Sequence, residues 1–74
     1  MDIDRELDVT GMTCPMPLIR LRQTVEGLEA GQLLRIQGDD PIFEESVRDF
    51  CEEGGLEVVE ATSEGRQVIL TIRI

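Results

Sequence analysis

Apolar and polar residues alternate at the start of the chain. Ile3, Arg5, Leu7 and Val9 fall on one side, and Asp4, Glu6 and Asp8 on the other. That period of two predicts a strand with one buried face, closed by Thr10 and Gly11. The period then changes. Leu18, Leu21, Val25 and Leu28 are spaced for one face of a helix that begins at Pro15 or Pro17 and runs to about Leu28. Gly27 weakens its last turn, and Ala30-Gly31 ends it. Leu33-Leu34-Arg35-Ile36-Gln37 reads as a short second strand that Gly38 stops.

Asp39-Asp40-Pro41 then has the form of a helix start, with a carboxylate at the N-cap and proline at the first helical position. Phe43, Val47, Phe50 and Cys51 form the apolar stripe of the helix that follows, and Gly54-Gly55 ends it. A third strand covers Leu56 to Ala61. Ser63-Glu64-Gly65-Arg66 makes a turn, and Val68, Leu70, Ile72 and Ile74 alternate along a fourth strand. The order is β-α-β-α-β-β.

Strand, helix, strand sequences favour parallel crossovers, and the last pair is a hairpin. With only two helices, both cover one face of a mixed four-stranded sheet. The expected fold class is therefore α+β, a two-layer sandwich. Its other face shows Asp4, Glu6, Asp8, Arg35, Thr71 and Arg73 to water.

Length and charge narrow the setting. The 74 residues make one domain, 1–74, with a small core. The acidic start lacks the apolar segment of a signal peptide, and no apolar run is long enough to span a bilayer. A soluble, cytoplasmic monomer without membrane insertion is the expectation. The net charge is −9, and residues 39–64 hold ten acids against the single Arg48. Residues 10–38 are nearly balanced, with Arg20, Arg22 and Arg35 against Glu26 and Glu29. A surface this negative repels phosphate backbones, so direct nucleic-acid binding is not expected.

The chain has two cysteines and no histidine. That set cannot supply an ordinary four-ligand zinc site within one chain, and it lacks the commonest general base. No metal and no cofactor are expected. Cys51 sits on the apolar stripe of the second helix, where a free cysteine behaves as a small hydrophobe.

Cys14 is different. It stands immediately before Pro15-Met16-Pro17-Leu18, at the mouth of the first helix. Proline is tolerated there because the first amides of a helix have no intrahelical partner. The positive end of the helix favours thiolate, and nearby Arg20 and Arg22 add weakly to that. The prolines and Gly11 form a stiff scaffold for the sulfur. A small buried residue at a strand–helix junction is the alternative reading of Cys14. Met12 and Met16 flank it as a cover or a soft apolar contact surface, and core filling is the equal alternative for Met12.

These residues resemble the TusA (SirA-like) family of small sulfur carriers. Leu7-Asp8, Gly11 and then Cys14-Pro15-Met16-Pro17-Leu18 are similar to the family's Cys-Pro-x-Pro signature with its upstream Leu-Asp and Gly. Asp39-Asp40-Pro41 resembles its second signature, and Phe50-Cys51 resembles a pair found in some members. The resemblance implies a persulfide relay in which Cys14 accepts sulfane sulfur. The donor would be a cysteine desulfurase or a rhodanese-like protein, and the acceptor a protein with a reactive cysteine. Sulfurtransferase-type chemistry without independent turnover is implied, in tRNA thiolation, cofactor biosynthesis or sulfur metabolism. Met16, Arg20 and Arg22 are the partner-docking candidates, and Glu26 and Glu29 occupy later turns where relatives often carry basic residues.

Two other readings stand beside it. One is a non-catalytic interaction or regulatory module that docks through the acidic second helix. The other is a thiol-redox protein pairing Cys14 with Cys51, a separation of 37 residues unlike Cys-x-x-Cys.

Overall fold

Two helical stretches set between strands along the chain become two crossovers in space. The structure, a computed structural model, describes residues 2–13 and 16–74. Its elements are β1 (Arg5–Asp8), α1 (Met16–Glu26), β2 (Leu33–Gly38), α2 (Phe43–Gly54), β3 (Glu57–Glu64) and β4 (Gln67–Arg73). The expected α+β class and element order are both present.

The sheet runs β1-β2-β4-β3. β1 pairs with β2 in parallel, with Leu7 beside Ile36. β4 enters between the two crossover strands and is antiparallel to both, which leaves β3 at the edge. Leu34 stands opposite Ile72, and Ile36 opposite Leu70. Those four side chains are fully buried, as are Val9 after β1 and Leu21 of α1. Phe43, Val47 and Cys51 of α2 join the same cluster. Residues of both helices thus share one core with one face of the sheet, as two layers require.

Local chemistry explains most of the boundaries. Gly55 closes α2 in the left-handed conformation (φ 73°), and the Leu56 amide reaches back to the Cys51 carbonyl at 2.8 Å. That is a Schellman closure, and only glycine adopts the required φ without strain. Gly65 (φ 63°) followed by Arg66 makes a two-residue hairpin loop between Glu64 and Gln67. Positive φ at the first loop position alone is the sign pattern of a type II′ turn. α1 stops at Glu26, two residues short of the expected end, because Gly27 and Leu28 bond to carbonyls three residues back. One tight turn replaces the last turn of α-helix.

Three expectations need correction. Neither Asp39 nor Asp40 caps α2. The helix begins at Phe43, after Ile42, and no side chain caps it. Asp40 instead folds its carboxylate over Pro41 onto the Ile42 amide at 2.9 Å, and its carbonyl accepts the Phe43 amide at 3.0 Å. The two aspartates make a turn ahead of the helix because Phe43 must point into the core, where it is 1% exposed.

Thr71 is the second correction. It does not face water but is 2% exposed, because it lies on the central β4 between Arg35 of β2 and Glu60 of β3. Its short side chain is thus flanked by longer ones on both neighbouring strands. Third, β3 extends to Glu64 and carries a bulge. Val58 pairs with Ile72 while Glu60 pairs with Thr71, so Val59 is an extra residue. That shift keeps Glu57, Glu60, Thr62 and Glu64 together on the outer face.

Of the glycines, Gly38 is the one with no room for a side chain, because the Phe43 ring packs against it. A Cβ at Gly38 would lie 2.9 to 3.1 Å from three atoms of the Phe43 ring, which is buried and has nowhere to move. Gly38→Ala is therefore expected to cost about 1–3 kcal/mol as overpacking strain, read from urea unfolding by circular dichroism. Combined with Phe43→Leu, the loss is expected to be smaller than the sum of the two single losses. Strict additivity would show that the ring contact is not the cause.

Candidate functional site

The end of β1 is held by backbone and carboxylate bonds from several directions. Val9 donates its amide to the Gln37 carbonyl at 2.9 Å, which continues the β1–β2 ladder one residue beyond the strand. Met12 then donates to the Val9 carbonyl at 3.1 Å, so Val9 to Met12 is a closed β-turn. Gly11, third in that turn, has φ 84°, and Thr10 has a negative φ. This combination defines a type II turn, where glycine is favoured at the third position.

Two carboxylates grip the turn. Asp8 accepts the Thr10 amide at 2.9 Å, and Asp39, from the β2–α2 connection, accepts the Gly11 amide at 2.9 Å. The Thr10 hydroxyl, the Thr10 amide and the Gln37 side chain hold the Asp8 carboxyl below the usual aspartate range. Gly11 is thus held by the Asp39 carboxylate in its left-handed conformation. The Met16 amide bonds to the Thr13 carbonyl at 3.0 Å and opens α1.

Among the sequence-derived site residues, Gly11, Met16, Pro17, Arg20 and Arg22 are located. Cys14 and Pro15 lie outside the described residues. Pro17 is fully buried, so its ring fills the core as well as stiffening the start of α1. Met16, Arg20 and Arg22 are exposed. The spacing of Met16, Ile19, Arg20 and Gln23 places them along one side of α1.

Sequence reasoning missed Ile19. It is 43% exposed, close to Met16 at 44%, and both are among the large hydrophobics left open to solvent. Its signal was present: an isoleucine that falls off the apolar stripe of an amphipathic helix. Ile19 and Arg22 also line a groove of about 510 Å³ between the helices, with Leu18, Asp49, Phe50 and Glu53. Phe50, expected on the buried stripe, is half-buried there. The arrangement offers an apolar strip edged by charges of both signs, a surface suited to docking another protein.

Cys51 is in the core at 2% exposure, as its position on the stripe implied. Burial pushes its thiol pKa up, and Arg48 only partly opposes this. A thiol held protonated and out of solvent is a poor nucleophile. Among the described residues, no three metal-ligating side chains gather, and no helix is long and apolar enough to cross a membrane.

The described residues form a two-layer α+β sandwich with a pinned turn and an exposed helix face in its first crossover. The family model for sulfurtransferase TusA matches residues 5–74. This chain belongs to the TusA family. It is 36% identical over 73 residues to the sulfur carrier protein TusA of Pseudomonas syringae, covering 99% of this chain and 87% of that one. It is 34% identical over 64 residues to the sulfur carrier protein TusA of Allochromatium vinosum, covering 86% and 84%. The crystal structure of a SirA-like protein from Desulfitobacterium hafniense superposes with a TM-score of 0.82 at 25% identity, covering 93% of this chain and 95% of that one.

Two outcomes check the site. In a Cys14→Ala chain, the Cys51 thiol is expected to react slowly with Ellman's reagent in the native protein and fully after unfolding in urea. Rapid native reaction would contradict its burial. For Asp8, the folded pKa lies below the unfolded one, so its stabilising contribution is present above the unfolded value of about 3.9 and lost as pH falls through the folded value. The melting temperature of the wild type should therefore fall more steeply from about pH 5 to about pH 3 than that of Asp8→Asn. Equal slopes would mean that Asp8 carries no linkage.

Proposed function

We propose that Cys14 is the sulfur-bearing residue of this chain and that residues 1–74 act as a single sulfur-carrier domain. The Cys14 thiolate attacks the terminal sulfur of a persulfide on a donor protein. A new S–S bond forms to Cys14 as the donor's S–S bond breaks, and the donor leaves as its thiolate. In the second half, a thiolate on the acceptor attacks the outer sulfur of the Cys14 persulfide, and Cys14 leaves as thiolate. Nothing is consumed in either step, and no cofactor is needed. This is sulfurtransferase chemistry without turnover of its own.

The observation that carries the reading is membership of the TusA family together with the sequence Cys14-Pro15-Met16-Pro17, whose last two residues open α1. Burial of Cys51 supports a single working thiol and weighs against a Cys14–Cys51 redox pair. The donor fits a cysteine desulfurase or a rhodanese-like protein, and the acceptor is a protein with a reactive cysteine. Met16 and Arg20 on the open side of α1, and Arg22 at the groove beside α2, are the docking residues in this reading, with Ile19 added to them. A monomeric carrier working in the cytoplasm suits relays to tRNA thiolation, cofactor biosynthesis or sulfur metabolism.

Incubation with a cysteine desulfurase and cysteine, or with a rhodanese and thiosulfate, tests it. Mass spectrometry is expected to find one added sulfur on Cys14, absent in Cys14→Ala and retained in Cys51→Ala. Sulfur on Cys51 instead would sink the assignment. Full activity of a Cys14→Ser chain in a relay assay would favour the non-catalytic interaction module.

A further inference from the structure

Asp39 and Asp40 are adjacent but do different work. Asp40 turns the chain into α2 through the Ile42 amide. Asp39 reaches away from α2 altogether, to an amide 28 positions earlier in the chain. The amide it takes is that of Gly11, in the middle peptide of the Val9–Met12 turn. Resting on the sulfur-carrier reading, we propose that Asp39 is a positioning residue for sulfur transfer. By holding the Gly11 amide it sets the direction in which the chain leaves β1 for Cys14.

The choice of peptide matters. Type I and type II turns differ by a rotation of about 180° of the middle peptide, here Thr10–Gly11. Its N–H belongs to Gly11, and the Asp39 carboxylate accepts it at 2.9 Å. Rotation to the type I form would carry that N–H away from the carboxylate. Asp8 cannot substitute, because the amide it holds belongs to the preceding peptide, Val9–Thr10. A bond from a backbone N–H to a carboxylate is charge-assisted and stronger than a neutral one. The carboxylate thus selects the type II turn, and the chain exits at Met12, two positions before Cys14.

This role is separable from docking. The exposed side chains of α1 remain in place when Asp39 is changed, so encounter with a donor should not weaken. What suffers is alignment of the sulfur once the partners have met. Misplacement on the scale of an ångström is enough to slow such a step substantially.

The experiment measures sulfur transfer to the full chain from a desulfurase charged with cysteine, at varied donor concentration. Asp39→Ala is expected to lower the maximal rate about tenfold or more, with the half-saturating donor concentration unchanged within about twofold. Asp39→Asn is expected to recover most of the rate, since its amide oxygen still accepts the Gly11 N–H. Exchange of the Gly11 amide hydrogen should quicken in Asp39→Ala while protection in β2 and β4 stays as in the wild type.

Gly11→Ala reaches the same turn from its other partner and serves even if Asp39→Ala does not fold. A Cβ at Gly11 meets nothing within 4 Å, so its effect comes from the left-handed φ of 84° that alanine disfavours. It is expected to give the same loss of maximal rate. Wild-type rates in the folded variants, or a loss confined to the half-saturating concentration, would overturn the proposal. If the wild-type chain never takes sulfur on Cys14, the carrier reading fails instead, and Gly11 exchange still reports whether Asp39 holds the turn.

Discussion

The ring of Phe43 lies against the backbone of Gly38, and the turn that brings Asp39 to the end of β1 is built around that contact. A side chain at residue 38 would occupy the space that the ring needs. With the ring seated, α2 must start at Phe43, and the four residues before it must turn sharply. That turn carries Asp39 toward the end of β1, within hydrogen-bonding distance of Gly11. One core contact in the second crossover thereby sets the loop of the first.

The acidic residues divide by length of side chain. Asp4, Asp8, Asp39 and Asp40 each accept a backbone amide, at Leu33, Thr10, Gly11 and Ile42. The short aspartate side chain reaches main chain near loops and strand ends at little entropic cost. The longer glutamates reach guanidinium groups instead: Glu6 to Arg35, Glu44 to Arg48 and Glu57 to Arg73. These pairs are solvent-exposed, where each is worth about 0.2–1 kcal/mol at most. The aspartates therefore shape the fold more than the ion pairs do, and much of the remaining negative charge serves the surface.

Periodicity revealed the elements because burial imposes it. The Leu18, Leu21, Val25, Leu28 spacing and the Val68, Leu70, Ile72, Ile74 alternation were legible for that reason. The Gly54-Gly55 stop and the Gly65 turn were legible because positive φ leaves a mark in residue type. Asp39 and Asp40 were misread as a helix cap because a cap and a preceding turn draw on the same residues. Thr71 was misread because its neighbours across the sheet were unknown. Ile19 was visible as an apolar residue off the stripe, but its exposure depended on where α2 lay.

By itself the sequence determined the element types, the β-α-β-α-β-β order and the Cys-Pro-x-Pro stretch at the start of a helix, for these depend on neighbours a few residues apart. Tertiary structure decided the rest. Insertion of β4 between β2 and β3, burial of Thr71, and the bond from Asp39 to Gly11 all join residues far apart in the chain. No local pattern records such pairings, because they exist only once the core has closed and brought the two crossovers side by side.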